Sequence, residues 1–163
     1  GWFWCVEAIF KMVPGVSAIS CGYSGGKIKN PTYDEICSGT TGHAEAVQIT
    51  YDSQIISYKE LLNIFWKTHD PTTLNKQGAD IGSQYRSIIF YHDEEQRAIA
   101  TNFKNSLDES NVFDSKIVTE IVSFEKFYLA EEYHQNYFKK NPNIPYCNYV
   151  IKPKLDKFLS TQK

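Results

Sequence analysis

Charge of one sign is scarce in this chain. Its 17 Lys and Arg face 19 Asp and Glu, which leaves a net charge of −2. That near-balance removes the electrostatic case for a nucleic-acid partner or a membrane surface. No apolar run approaches the ~18 residues that a membrane-spanning helix needs. No signal-peptide pattern opens the chain, so a cytoplasmic location is expected. Cysteine is sparse and poorly spaced for metal or disulfide work. Cys5, Cys21, Cys37 and Cys147 include no Cys-x-x-Cys pair, and His43, His69, His92 and His134 are scattered. Neither a zinc site nor a secreted disulfide framework is expected from such spacings. Repeats, low-complexity tracts and linkers are missing too, so the 163 residues read as one domain, 1–163. Aromatics are plentiful, with 11 Tyr and 10 Phe, and these imply a well-filled core and an aromatic-lined site. The chain starts at Gly1 rather than Met, so a preceding segment is expected.

The aromatic density peaks at the beginning, in Gly1-Trp2-Phe3-Trp4-Cys5-Val6-Glu7. Val6, Ile9, Phe10 and Val13 recur at helical spacing, and Pro14-Gly15 stops the run. Gly1 to Phe3 therefore fall at a helix N-terminus, where unpaired N–H groups and the positive end of the helix dipole gather. A thiol or selenol at such a point has a lowered pKa. Phe3 and Trp4 are either a wall for a small apolar group or ordinary core aromatics.

Further along, Val16 to Cys21 reads as a strand, broken by turn chemistry at Gly22-Tyr23-Ser24-Gly25-Gly26. A long Gly-rich connection follows, with one helical turn over Tyr33 to Cys37. Such loops are either floppy or functional. His43 to Tyr51 alternates cleanly, which puts Glu45 with Val47, Ile49 and Tyr51 on one face. A carboxylate there either reaches water at the core's edge or is desolvated in a pocket. In the second case its pKa rises and it stays a neutral acid near pH 7. Capping boxes at Ser57-Tyr58-Lys59-Glu60 and Asp93-Glu94-Glu95-Gln96 open two helices. Strands are expected over Tyr85 to Tyr91 and Ile117 to Val122, and a helix over Phe127 to Lys140. Asn143 to Lys163 reads as a tail with a short helix near Leu155. This order implies an α+β two-layer sandwich, with long loops and an irregular C-terminal tail.

The opening motif resembles the signature of the methionine sulfoxide reductase A family, Gly-Cys-Phe-Trp followed by Val-Glu. Five further blocks match that family in order. They are Gly22 to Gly26, then Asn30-Pro31-Thr32-Tyr33, then Ser38 to Glu45, then His69-Asp70-Pro71, and Gly82 to Ser87. The resemblance covers essentially the whole chain. It implies a mixed sheet with helices around it, and a strand just upstream of Gly1. It implies reduction of methionine S-sulfoxide, free or in proteins, with thioredoxin or a similar dithiol as external reductant and no bound cofactor. Such chemistry needs a thiolate or selenolate to attack sulfur while an acid protonates the sulfoxide oxygen. By the match Glu45 is the acid. Tyr33 and Tyr85 donate hydrogen bonds to the oxygen, Asp80 orders the network, and Phe3 and Trp4 wall the substrate methyl. From the residues alone, the two phenols could equally be satisfying backbone partners. Cys147, in Pro145-Tyr146-Cys147, matches the family's resolving thiol, and a mobile tail would suit it. Cys21 and Cys37 read most simply as buried thiols.

The family's nucleophile, cysteine or in some members selenocysteine, stands at position 2. Here position 2 is Trp2, whose indole is no nucleophile at sulfur. Three explanations present themselves: a selenocysteine codon rendered as tryptophan, a deliberate replacement, or a non-catalytic relative that binds methionine sulfoxide. A thiol peroxidase is a third class of reading, prompted by the reactive-cysteine pattern.

Overall fold

The computed structural model describes residues 2–162. Helix α1 runs Phe3–Phe10 and is buried along nearly its whole length. It lies on a three-stranded antiparallel sheet of β1 (Val16–Ser24), β2 (Ala44–Tyr51) and β7 (Phe127–Leu129), with β1 in the centre. Short helix α2 (Tyr33–Cys37) is set in the connection between β1 and β2. Helices α3 (Tyr58–Thr68) and α4 (Glu94–Ser110) cover a parallel pair, β5 (Ile88–Tyr91) with β6 (Glu120–Ser123). The fold is α+β, as the element order implied. Antiparallel and parallel pairing occur in separate small sheets rather than in one mixed sheet.

Ser57 caps α3 as a full box: its hydroxyl accepts from Glu60 N, and Glu60 accepts from Ser57 N. Asp93 likewise accepts from Gln96 N to start α4, but Gln96 reaches back to His92 N rather than to Asp93. The apolar stripe of α3 places Leu62 and Trp66 against Ile89, Ala100 and Ile117. Burial of such side chains contributes roughly 1.5–3 kcal/mol each.

Three expected elements differ. Strand β1 does not stop at Cys21 but continues through Gly22, Tyr23 and Ser24. Gly22 is a close-approach glycine rather than a turn glycine. A Cβ there would come within 2.3 Å of the Phe127 ring, so only glycine lets β7 lie alongside. The chain turns at Gly25, with φ +92°. Segment 127–140 is not one helix. It begins as β7, makes a 3₁₀ turn at Glu132–His134 and closes with α5 (Tyr137–Lys140). Pairing of Phe127 to Leu129 with Ser24 to Gly22 outweighs the helical periodicity, and Asn136 breaks the segment with φ 57°. The C-terminal segment is regular rather than irregular: a π-helical turn, Cys147–Ile151, runs into α6 (Lys152–Thr161). Leu155, Phe158 and Leu159 dock α6 on Ile9 and Phe10 of α1.

Candidate active site

The site gathers at the N-terminus of α1. Trp2 is the helix N-cap, and its carbonyl accepts from Cys5 N at 3.1 Å. Its side chain points into a ring of aromatics, with centroids 4.6 Å from Trp4, 4.6 Å from Tyr146 and 5.5 Å from Tyr85. The Trp2 indole N–H is buried with no hydrogen-bond partner among the described residues. An orphaned buried donor costs about 1–3 kcal/mol, so the surroundings are poorly matched to an indole at this position.

Glu45 sits one residue into β2, opposite Tyr23 of β1. The loop before it is held, not floppy. His43 is buried, and its Nδ1 accepts from Gly26 N at 2.9 Å. The neutral ring therefore carries its proton on Nε2, which donates to Ile28 O at 2.7 Å. Of the two positions open to Glu45, the structure takes the desolvated one: it is 3% exposed and neither carboxyl oxygen has a partner among the described residues. Burial, with a smaller push from Asp80, raises its pKa well above the usual carboxylate value. Glu45 also borders an apolar cavity of about 210 Å³, walled by Phe3, Phe10, Val47, Leu62 and Ile89.

Tyr85 ends a 3₁₀ turn, Ser83–Tyr85, and is buried. Burial and the nearby Glu45 push its phenol up to about 12. The Tyr33 phenol is pushed up as well, first by burial, then by Cys37 and Glu45 beside it. Both phenols remain donors at any working pH. Asp80 lies on a small hairpin, β3 (Lys76–Gln77) with β4 (Asp80–Ile81), inside what reads from the sequence as a loop. It accepts from Tyr146 Oη at 2.9 Å, and burial raises its pKa. Phe3 is fully buried against Tyr23 and His134. Trp4 stacks on Tyr137 at 3.5 Å, and its indole N–H donates to His134 Nδ1 at 3.1 Å.

Trp2, Trp4 and Tyr33 thus pack in one cluster, Tyr85 and Tyr146 stand against Trp2, Asp80 joins through Tyr146, and Glu45 lies near enough to raise both phenols. Cys147 is a free, fully buried thiol in the cluster that holds Phe3, Trp4 and Cys5. Its lodging in a helical turn is a correction to the expected mobile tail. Cys37 is exposed, not buried. Burial pushes all four thiols above their ordinary pKa, the opposite of what a peroxidatic thiol requires. Sequence reasoning assigned nothing to Tyr146, Glu131, His134 or Tyr137. Tyr146 lay beside the singled-out Cys147, whereas the other three were hidden in the misread helix. Among the described residues no group of three or more His, Cys, Asp or Glu side chains could hold a metal ion. No helix among them is long and apolar enough to cross a membrane.

An α+β fold that sets a buried carboxyl of raised pKa and two phenols near a helix N-terminus has the groups to donate protons to a polar substrate atom. The family model described as peptide methionine sulfoxide reductase matches residues 1–163. The chain is 56% identical over 161 residues to a peptide methionine sulfoxide reductase MsrA of Leptospira borgpetersenii, covering 99% of this chain and 90% of that one. It is 55% identical to the MsrA of Sulfolobus acidocaldarius, over 98% of this chain and 89% of that one. Among solved structures it is similar to Mxr1 from Saccharomyces cerevisiae in reduced form, with TM-score 0.84, 34% identity and coverage of 91% and 85%. It is also similar to methionine sulfoxide reductase A of Corynebacterium diphtheriae, with TM-score 0.79, 35% identity and coverage of 91% and 74%. The chain belongs to the peptide methionine sulfoxide reductase family.

Proposed function

We propose that this chain is the scaffold of a methionine S-sulfoxide reductase whose nucleophile belongs at position 2. The observation that carries the reading is the presence together of Glu45, buried with no partner among the described residues, and a position-2 side chain aimed into the aromatic ring of Trp4, Tyr85 and Tyr146. A thiolate or selenolate at that helix N-terminus attacks the sulfoxide sulfur. Glu45 gives its proton to the sulfoxide oxygen, and Tyr33 and Tyr85 donate hydrogen bonds to it. Asp80 orders the network through Tyr146, and Phe3 and Trp4 pack the methyl. Attack joins the nucleophile to the substrate sulfur; the protonated oxygen then moves from that sulfur to the nucleophile as the new nucleophile–sulfur bond breaks, its electron pair leaving with methionine. The oxygen stays on the nucleophile as a sulfenic or selenenic acid, which has been oxidised by two electrons. The Cys147 thiol condenses with it and releases water. A dithiol such as thioredoxin then returns both groups to the reduced state.

With Trp2 in place the chain has no such nucleophile, so turnover is absent or very weak. A selenocysteine codon rendered as tryptophan is the leading explanation; sequencing codon 2 and weighing the natural product decide it. The Trp2 indole N–H, without a partner among the described residues, fits a residue foreign to this position. The filling of the site by an aromatic side chain supports the second reading, a module that binds oxidised methionine without reducing it. The acid is tested in a Trp2→Cys background. Glu45→Gln should lower kcat by ~10²–10⁴-fold, the usual worth of general acid catalysis, with a smaller effect on KM. Near-full turnover across neutral pH would remove Glu45 from that role.

A further inference from the structure

One carboxylate outside the assigned residues holds several of them. Glu131 follows β7 and leads into the 3₁₀ turn at Glu132–His134. Its Oε1 accepts from Tyr23 Oη at 3.4 Å. Its Oε2 accepts from Tyr33 N at 3.3 Å and from Tyr133 Oη at 3.0 Å. Tyr33 N is at the first position of α2, one of the donors that a helix cannot satisfy internally. Thr32 and Glu35 close a capping box at the same end, so α2 is pinned both locally and by a residue 98 positions away.

The same carboxylate faces His134. That ring is fully buried, and its Nδ1 must be unprotonated because it accepts the Trp4 indole N–H at 3.1 Å. The neutral ring therefore carries its proton on Nε2. Nε2 lies 3.9 Å from Glu131 Oε2 and has no closer partner among the described residues. The attraction between this N–H and the carboxylate biases the ring's orientation. His134 in turn is wedged among Phe3 at 5.2 Å, Trp4 at 5.6 Å and Tyr33 at 4.4 Å. A carboxylate on the far side of the ring is thus tied to the phenol-bearing helix and to the aromatic wall alike. Tyr23, its third ligand, is the cross-strand partner of Glu45.

We propose that Glu131 is a positioning residue for the site, setting Tyr33 through its backbone N–H and Trp4 through the His134 ring. The inference rests on the reductase reading only for the roles of Tyr33 and Trp4; the linkage itself is separable from turnover.

The test uses Glu131→Ala and Glu131→Gln in the Trp2 chain and in Trp2→Cys. Nitrogen-detected NMR follows the His134 ring and the Trp4 indole N–H. Kinetics with methionine S-sulfoxide and dithiothreitol follow kcat and KM. In Glu131→Ala both NMR signals should move, and kcat should fall by about 10- to 100-fold, because an ~1 Å misplacement can cost ~10²-fold. Glu131→Gln keeps an acceptor for Tyr33 N and should recover most of kcat, a rescue that a loss of general stability would not produce. Unchanged kcat in Glu131→Ala, or unmoved His134 and Trp4 signals, overturns the proposal. If Glu131→Ala does not fold, Glu131→Asp replaces it. That variant keeps the charge but retracts it by one methylene, and should lose part of kcat; full activity with unmoved signals overturns the proposal. If Trp2→Cys itself fails to turn over while Glu131→Ala still moves both signals, the reductase reading falls and the positioning stands.

Discussion

At the scale of single residues, Glu45 carries a cost that can be measured without any catalysis. Its carboxyl is buried with no partner among the described residues, which favours the neutral form. Its folded-state pKa is raised above the ordinary 4.5, so the folded chain binds the proton more tightly than the unfolded chain. Stability from this group is therefore full below about 4.5, and is lost as pH rises through the folded-state pKa. Inside that window each pH unit costs about 1.4 kcal/mol. Glutamine keeps the shape and cannot ionise. Glu45→Gln should thus gain stability relative to the parent as pH rises, with the difference in melting temperature widening and then levelling off. Melts of both proteins between about pH 5 and pH 9 read this directly. Curves that stay parallel would mean that the folded-state pKa of Glu45 is not raised.

At the scale of elements, the C-terminal segment is where the site and the fold pull against each other. Cys147 lies in a π-helical turn and is fully buried, and α6 beyond it packs on α1. Its sulfur is enclosed there, and burial keeps the thiol protonated. In a Trp2→Cys background, Cys147→Ser should leave a single turnover with excess enzyme intact. It should slow recycling by thioredoxin more than recycling by dithiothreitol, since the small dithiol can reach the oxidised nucleophile directly. Equal rates with both reductants would show that Cys147 is not the resolving thiol. The hairpin of β3 and β4 is a simpler case. Two short pairs, Lys76 with Ile81 and Gln77 with Asp80, suffice to aim the Asp80 carboxylate at Tyr146.

At the scale of the molecule, the local signals in the sequence translated into structure where one element decides its own geometry. Capping at Ser57 and Asp93, helical spacing through Phe10 and alternation along β2 all did so. Elements decided by distant partners were not legible. Gly22 looks like a turn until Phe127 is laid across it, and Phe127 to Leu129 looks helical until it pairs with β1. The same limit divides the site. The face bearing Glu45 could be read from alternation, but the links from Glu131 and His134 join residues about 100 or more positions apart. A pattern local to one segment carries no trace of such links.

On the proposed reading the site lacks only the atom that attacks. That is tested most directly by measuring methionine formed from methionine S-sulfoxide and dithiothreitol by the Trp2 protein and by Trp2→Cys, side by side. Little or no product is expected from the first. Sustained turnover is expected from the second, because the helix N-terminus, Glu45 and the aromatic wall remain to serve a thiolate. Cys5 is the thiol that could stand in, three residues on and so about 4.5 Å along the helix axis, a large offset against an attack distance of ~3–3.5 Å. Turnover by the Trp2 protein that vanishes when Cys5→Ser is added would contradict the account. A folded Trp2→Cys protein that binds methionine sulfoxide without reducing it would contradict it as well.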